Sequence, residues 1–264
     1  MKLKIYQADA FTDKTFGGNP AAVVPLKQKF LSDMLMQNIA AENNLAETAF
    51  IIPTKKGFHL RWFTPSIEVR LCGHATLATA HILYDQLGYT KDEIIFETLS
   101  GELRVKKTPI GYEMDFPADF SVHDNSISDL VKEILGFTPL EIRRGKDDVM
   151  AVVASQKEIE NLQPNFAPLK HINARGIIIT AKGDTSDFVS RCFFPEAGIE
   201  EDPVTGSAHT VMTPYWSEKL GKHTLTAIQV SKRRGHLTCT LNNNRVLIAG
   251  NATTYLKGEI YVDG

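Results

Sequence analysis

The chain has 264 residues, 43% hydrophobic and 23% charged, enough apolar material for one large core or two modest ones. Its 29 Lys and Arg against 31 Asp and Glu leave a net charge of -2, which argues against a nucleic-acid partner. No apolar run approaches the ~20 residues of a membrane span, and the opening Met-Lys-Leu-Lys-Ile-Tyr-Gln reads as a strand, not a signal h-region, so a cytoplasmic protein is expected.

In chain order, short β-patterned runs come first: Leu3–Ala8, Ala21–Pro25, Thr48–Ile52, His59–Phe63, Ile94–Thr98, Leu103–Lys107 and Tyr112–Phe116. Two helices interrupt them. One is expected over Ser32–Glu42, the other over Ala75–Leu87, stopping at Gly88 as a C′ glycine. Beyond Pro117 the texture changes, and Ser126-x-x-Asp129 and Ser155-x-x-Glu158 resemble capping boxes that open two more helices. Strands follow at Val149–Val153, Gly176–Thr180, Phe188–Phe194, Gln229–Ser231, His236–Leu241 and Arg245–Ala249, the last two joined by a hairpin turn at Asn242-Asn243-Asn244.

A faint internal repeat organises these elements. Arg61-Trp62-Phe63-Thr64-Pro65 matches Arg191-Cys192-Phe193-Phe194-Pro195 at an offset of 130 residues. Cys72-Gly73-His74-Ala75-Thr76 then faces Thr205-Gly206-Ser207-Ala208-His209 at an offset of 133, which also pairs Leu87-Gly88 with Leu220-Gly221. Strand, Pro-bearing loop, Gly-opened helix and Leu-Gly stop recur in order, as expected of two duplicated halves. The expected division is an N-terminal lobe of residues 1–117, joined by a final strand 257–263, and a C-terminal lobe of 118–256. If the halves pack face to face, two helix N-termini converge. Their unpaired N–H groups, approached closely at Gly73 and Gly206, would hold a carboxylate, with His74 and Ser207 as added donors.

Little else in the chain asks for special chemistry. Cys72, Cys192 and Cys239 form no C-x-x-C pair, and the eight histidines lack H-x-x-x-H or H-x-H spacing, so no metal is expected. Neither G-x-G-x-x-G nor G-x-x-x-x-G-K-[ST] occurs. Lys232-Arg233-Arg234 reads as an exposed charge run, His171, His209 and His236 as surface or packing histidines, and Trp62 and Trp216 as core.

Asp9-Ala10-Phe11-Thr12 with Gly18-Asn19-Pro20-Ala21-Ala22-Val23-Val24 resembles the opening of the PhzF family, the phenazine-biosynthesis isomerase-like proteins. Asn44-Leu45-Ala46-Glu47-Thr48-Ala49-Phe50 resembles that family's S-E-T-x-F region, and Cys72–Thr76 and Glu201–Ala208 resemble its two helix-opening motifs. The resemblance implies an α+β, diaminopimelate epimerase-like fold, with two pseudo-symmetric lobes, each a barrel-like sheet around a central helix. It also implies a cofactor-independent isomerase acting on a small carboxylate-bearing metabolite, with no cofactor, and a homodimer on the resemblance alone.

In that reading Glu47 is the acid–base group, its pKa expected to be raised by burial. Gly73, His74, Asp202, Gly206 and Ser207 would hold the substrate. Related epimerases use a thiol at each helix opening, but here Thr205 faces Cys72, which disfavours a two-thiol racemase. Cys72 reads first as a small buried residue and second as a thiol base. A thiol-assisted racemase or epimerase using Cys72, and a non-catalytic metabolite- or protein-binding module, remain the alternatives. Substrate shape would depend on the loops Pro65–Leu71 and Pro195–Glu201.

Overall fold

The computed structural model describes residues 1–195 and 199–263. The chain divides into two compact units, Met1–Asp115 with Ala249–Gly264, and Phe116–Ile248. The returning segment is longer than the expected 257–263, because the strand Ala252–Tyr261 pairs antiparallel with Lys2–Ala10 from Lys2↔Tyr261 to Ala10↔Ala252.

In the first unit, Lys2–Ala10 also pairs antiparallel with Asn19–Pro25, which runs parallel to Glu47–Pro53. Glu47–Pro53 pairs antiparallel with Phe58–Phe63, and that strand pairs antiparallel with Glu68–Val69 and parallel with Glu93–Thr98. Gly101–Thr108 completes a meander with its neighbours. Helix α1, Asp33–Asn43, is opened by Ser32, whose Oγ accepts from Leu35 N, and closed by Asn44 in the left-handed region. Its Met36, Ile39 and Ala40 pack with Ile5, Val24, Phe50 and Phe63 on one side of the strands.

Helix α2, Gly73–Asp85, is of another kind. Every residue from His74 to Leu83 is buried, the mark of a helix enclosed on all sides rather than laid on a surface. It packs against Lys2–Ala10, Asn19–Pro25, Glu47–Pro53 and Ala252–Tyr261. It starts two residues before the expected Ala75 and ends at Asp85. The chain then winds down through Leu87 N to Ile82 O and Tyr89 N to Leu83 O, with Gly88 at φ 70°.

The second unit repeats this plan. Glu141–Arg144 pairs antiparallel with Asp148–Val152, which runs parallel to Gly176–Lys182. Gly176–Lys182 pairs antiparallel with Phe188–Phe194, and that strand pairs antiparallel with Ile199–Asp202 and parallel with Thr224–Gln229. Thr224–Gln229 then pairs with Gly235–Asn242. The sense of each pairing from Asn19–Pro25 through Gly101–Thr108 is thus reproduced from Asp148–Val152 through Gly235–Asn242. A clamp recurs with it. Arg61 Nε and Nη2 each lie 2.7 Å from the Glu68 carboxylate, and Arg191 Nε and Nη2 lie 2.7 and 2.9 Å from that of Glu201.

Helix α5, Gly206–Leu220, takes the place of α2, with His209 and every residue from Val211 to Ser217 buried. Pro214 frees the Thr210 carbonyl, which accepts instead from Asp119 N at 3.1 Å. Two outer helices, α3 (Ser128–Leu135) and α4 (Gln156–Glu160), contribute Val131, Ile134, Leu135 and Ile159 to a core with Ile177, Ile179 and Phe193.

The Ser half of the second expected capping box is present, Ser155 Oγ accepting from Glu158 N, while Glu158 Oε2 reaches one residue further back and accepts from Ala154 N. The first is not. Asp124 caps a short 3-10 turn at Asn125–Ile127, leaving Ser126 inside that turn and Ile127 at the cap of α3. The strand expected at Gln229–Ser231 is Thr224–Gln229, which pairs with Gly235–Asn242 before the chain bends at Ser231–Arg233. Residues 196–198 of the loop Pro195–Glu201 lie outside the described residues.

Candidate active site

In the first unit, the parallel pairing Ala21↔Glu47 sets Glu47 at the start of its strand, and Gly73 opens α2 with His74 as its second residue. The two side chains meet: His74 Nε2 lies 2.9 Å from Glu47 Oε2, with both residues under 10% exposed. Neither atom has an aligned hydrogen bond among the described residues, so the pair is held by charge and proximity. On the other side of the ring, Nδ1 lies 3.1 Å from Asn19 Nδ2 and 3.5 Å from Cys72 Sγ. A charged ring donates from both nitrogens, Nε2 toward Glu47 and Nδ1 toward the Asn19 amide. Charging the ring requires the Asn19 amide to present its oxygen instead.

The electrostatics correct the expectation for Glu47. Burial pushes its carboxyl up, but the His74 imidazole and the Cys72 thiol together outweigh burial and hold it below the usual value of 4.5. For His74, burial disfavours the charged ring, yet Cys72 and Glu47 raise it well above 6.5. Cys72 is pushed up to about 11, by burial first and the Glu47 charge second, so it is a neutral thiol at pH 7.

Glu47, Cys72 and His74 place one ligand atom each within 4.8 Å of the others. His74, however, turns Nε2 to the carboxylate and Nδ1 to the sulfur. An ion bound through one ring nitrogen would sit away from the ligand at the other. The donor set therefore fits a shared proton better than a metal ion.

In the second unit Asp202, 8% exposed, accepts from Thr205 Oγ1 at 2.6 Å. Gln229 ties the same loop down, accepting from Thr205 N at 2.8 Å and donating to Asp202 O at 2.7 Å. Gly206 opens α5, and Ser207 Oγ accepts from Arg175 Nη2 at 3.0 Å. The first turns of α2 and α5 both offer N–H groups without intrahelical partners. His209 is buried, its Nδ1 on Thr205 O at 2.8 Å, and burial lowers it to about 4; it is a packing histidine. Trp62 and Trp216 are core, and Arg234 pairs with Glu160 at 2.9 Å. Asn19, Gln229, Arg175 and Asp148 were not singled out from sequence. Asn19 lies inside the Gly18–Val24 motif, while Arg175 and Asp148 follow no local pattern.

Two duplicated units are each built on an enclosed helix, and a buried acid lies beside an imidazole at one helix opening. Residues 8–258 match the Phenazine biosynthesis-like protein family, and the chain belongs to that family. It is 46% identical to an uncharacterized isomerase of Pseudomonas aeruginosa over 262 residues, 99% of this chain and 100% of that one. A PhzF-family crystal structure from Enterococcus faecalis superposes with a TM-score of 0.96 at 44% identity, covering 99% of this chain and 100% of that chain. A hydroxyproline epimerase from Agrobacterium vitis shares the fold at a TM-score of 0.61 and 11% identity, covering 100% of this chain and 93% of that one. No described helix is long and apolar enough to cross a membrane.

Proposed function

We propose that the protein is a cofactor-independent isomerase that moves a proton, and with it a double bond, on a small carboxylate-bearing metabolite. The observation that carries this reading is the buried Glu47 carboxylate beside His74 at the opening of α2. Glu47 takes a proton from carbon, the C–H electrons form a new C=C bond as the old one shifts, and Glu47 returns the proton at the far carbon. The lowered carboxyl keeps Glu47 in its basic form at neutral pH, and His74 stabilises the charge it loses and regains. The amides at Gly73 and His74 suit a substrate carboxylate. Asp202, Gly206 and Ser207 are proposed as substrate-binding groups of the second unit. The neutral, buried Cys72 thiol and the Thr at 205 weigh against thiol racemisation.

Proton exchange in deuterated water, followed by NMR over small amino- and hydroxy-carboxylates including a dihydroanthranilate, tests this. Deuterium should enter one carbon with wild type and Cys72→Ala but not with Glu47→Gln. Loss in Cys72→Ala alone moves the chemistry to the thiol. Silence across the panel favours a binding module.

A further inference from the structure

The repeat sets a cation one residue before the place that matches the acid. His74 and Ser207 correspond at the offset of 133, each the second residue of an enclosed helix. Glu47 and Gly176 likewise correspond, each the first residue of the strand that runs parallel to its neighbour. In the first unit Glu47 reaches His74. In the second unit the residue just before Gly176, Arg175, reaches Ser207. One residue before the place where one half carries its carboxylate, the other carries a guanidinium.

That guanidinium is fixed on three sides. Nε donates to Asp148 Oδ1 at 2.9 Å, and Nη2 to Asp148 Oδ2 and to Ser207 Oγ. Its central carbon lies over the Phe194 ring, 5.0 Å from the ring centroid. Asp148 is 2% exposed; burial pushes its carboxyl up, and the Arg175 fork works against that shift. Yet the Arg175 side chain is 43% exposed, and Nη1 has no hydrogen-bond partner among the described residues. A buried acid thus holds one edge of the guanidinium rigid while the other edge stays open. A fixed, planar, open edge is the geometry that takes a carboxylate with little ordering cost.

We propose that Arg175, held by Asp148 and Ser207, is a carboxylate-recognising residue of the second unit. It rests on the reading above only in taking the ligand to be a small carboxylate. Its test is binding, read at the Arg175 Nε–H and at the amides of Ser207 and Ala208 by NMR, during titration with malonate and with benzoate against chloride at matched ionic strength. Saturable shifts are expected with both carboxylates and not with chloride. Arg175→Gln strands the buried Asp148, so Arg175→Gln/Asp148→Asn, a neutral pair of similar shape, carries the comparison once its melting curve is near wild type. Binding should weaken about tenfold or more in that pair and less in Arg175→Lys, which keeps the charge without the fork. Equal titrations in wild type and the neutral pair, or no saturable shift with either carboxylate, overturn the assignment. In wild type, a failed exchange experiment with an intact titration removes the acid–base reading alone.

Discussion

His74 Nε2 lies 2.9 Å from Glu47 Oε2, and each group sets the other's charge. Glu47 is held below 4.5, so its stabilising contribution is complete above that value and is lost as pH falls through its lower folded pKa. His74 is held well above 6.5, so its contribution is complete below 6.5 and is lost as pH rises through its higher folded pKa. Both contributions are complete only between 4.5 and 6.5. His74→Gln should cost about 3 kcal/mol there, as one partner of a buried pair is removed. Chemical unfolding followed from pH 3 to 9 (roughly the span that brackets both groups) should show that deficit shrinking on either side. A deficit independent of pH would mean that packing, not charge, links the two residues.

The same pair shapes the rate. With His74 in place the exchange reaction should keep its carboxylate base throughout the neutral range. In His74→Gln the burial of Glu47 loses its main opponent, so the acid limb of the pH–rate profile should move upward. Glu47→Gln should lower exchange by about 10²–10⁴-fold at every pH, the usual contribution of a positioned acid–base group. An acid limb that stays put in His74→Gln would separate His74 from the titration of Glu47.

All three cysteines are buried, with Cys72 raised to about 11, Cys239 to about 12 and Cys192 well above its ordinary value, burial being the first cause for each. At pH 7 the Cys72 thiolate fraction is then roughly one in ten thousand. Native protein should resist iodoacetamide and label only after unfolding, as read by mass spectrometry. Fast native labelling of Cys72 with loss of exchange would restore the thiol to the chemistry.

What the sequence made legible follows from where the signals sit. Strands with alternating or continuous apolar runs, such as Phe188–Phe194, and helices with clear caps, such as Ser155, announce themselves locally. Ser126 misled because Asp124 caps the preceding turn first, accepting from Ser126 N. Glu47 stood out only through its motif, and its lowered carboxyl depends on His74 and Cys72, 27 and 25 residues away in sequence. The Arg175–Asp148 fork likewise spans 27 residues and leaves no periodic trace.

The repeated arginine clamps should differ in worth. Arg61 binds Glu68 and reaches Asp33, whose side chain is 80% exposed. Arg191 binds Glu201 and also donates through Nη1 to Ile159 O at 3.1 Å and Leu162 O at 2.8 Å, at the end of α4. Removing Arg191 strands the Leu162 carbonyl as well as an acid, and leaves Ile159 O only its backbone donors. Arg191→Met should cost about 3 kcal/mol and Arg61→Met about 1 kcal/mol, read as shifts in the urea midpoint. Equal costs would mean that water replaces Arg191 at those carbonyls.

The loop that leads into α5 offers a steric test. A Cβ on Gly235 would lie 2.2 Å from Val204 Cγ2, 2.9 Å from Cγ1 and 3.1 Å from Cβ. Val204 is fully buried and branched at Cβ, so no rotamer clears all three contacts. Val204 must therefore move, and Thr205, the N-cap of α5, is its neighbour. Gly235→Ala should cost about 1–3 kcal/mol by overpacking. Because Ser207 follows two residues after Thr205, the variant should also weaken carboxylate titration at Arg175, while Gly235→Ala/Val204→Ala recovers both. Lost stability with unchanged titration would show that the loop yields elsewhere and leaves the opening of α5 in place.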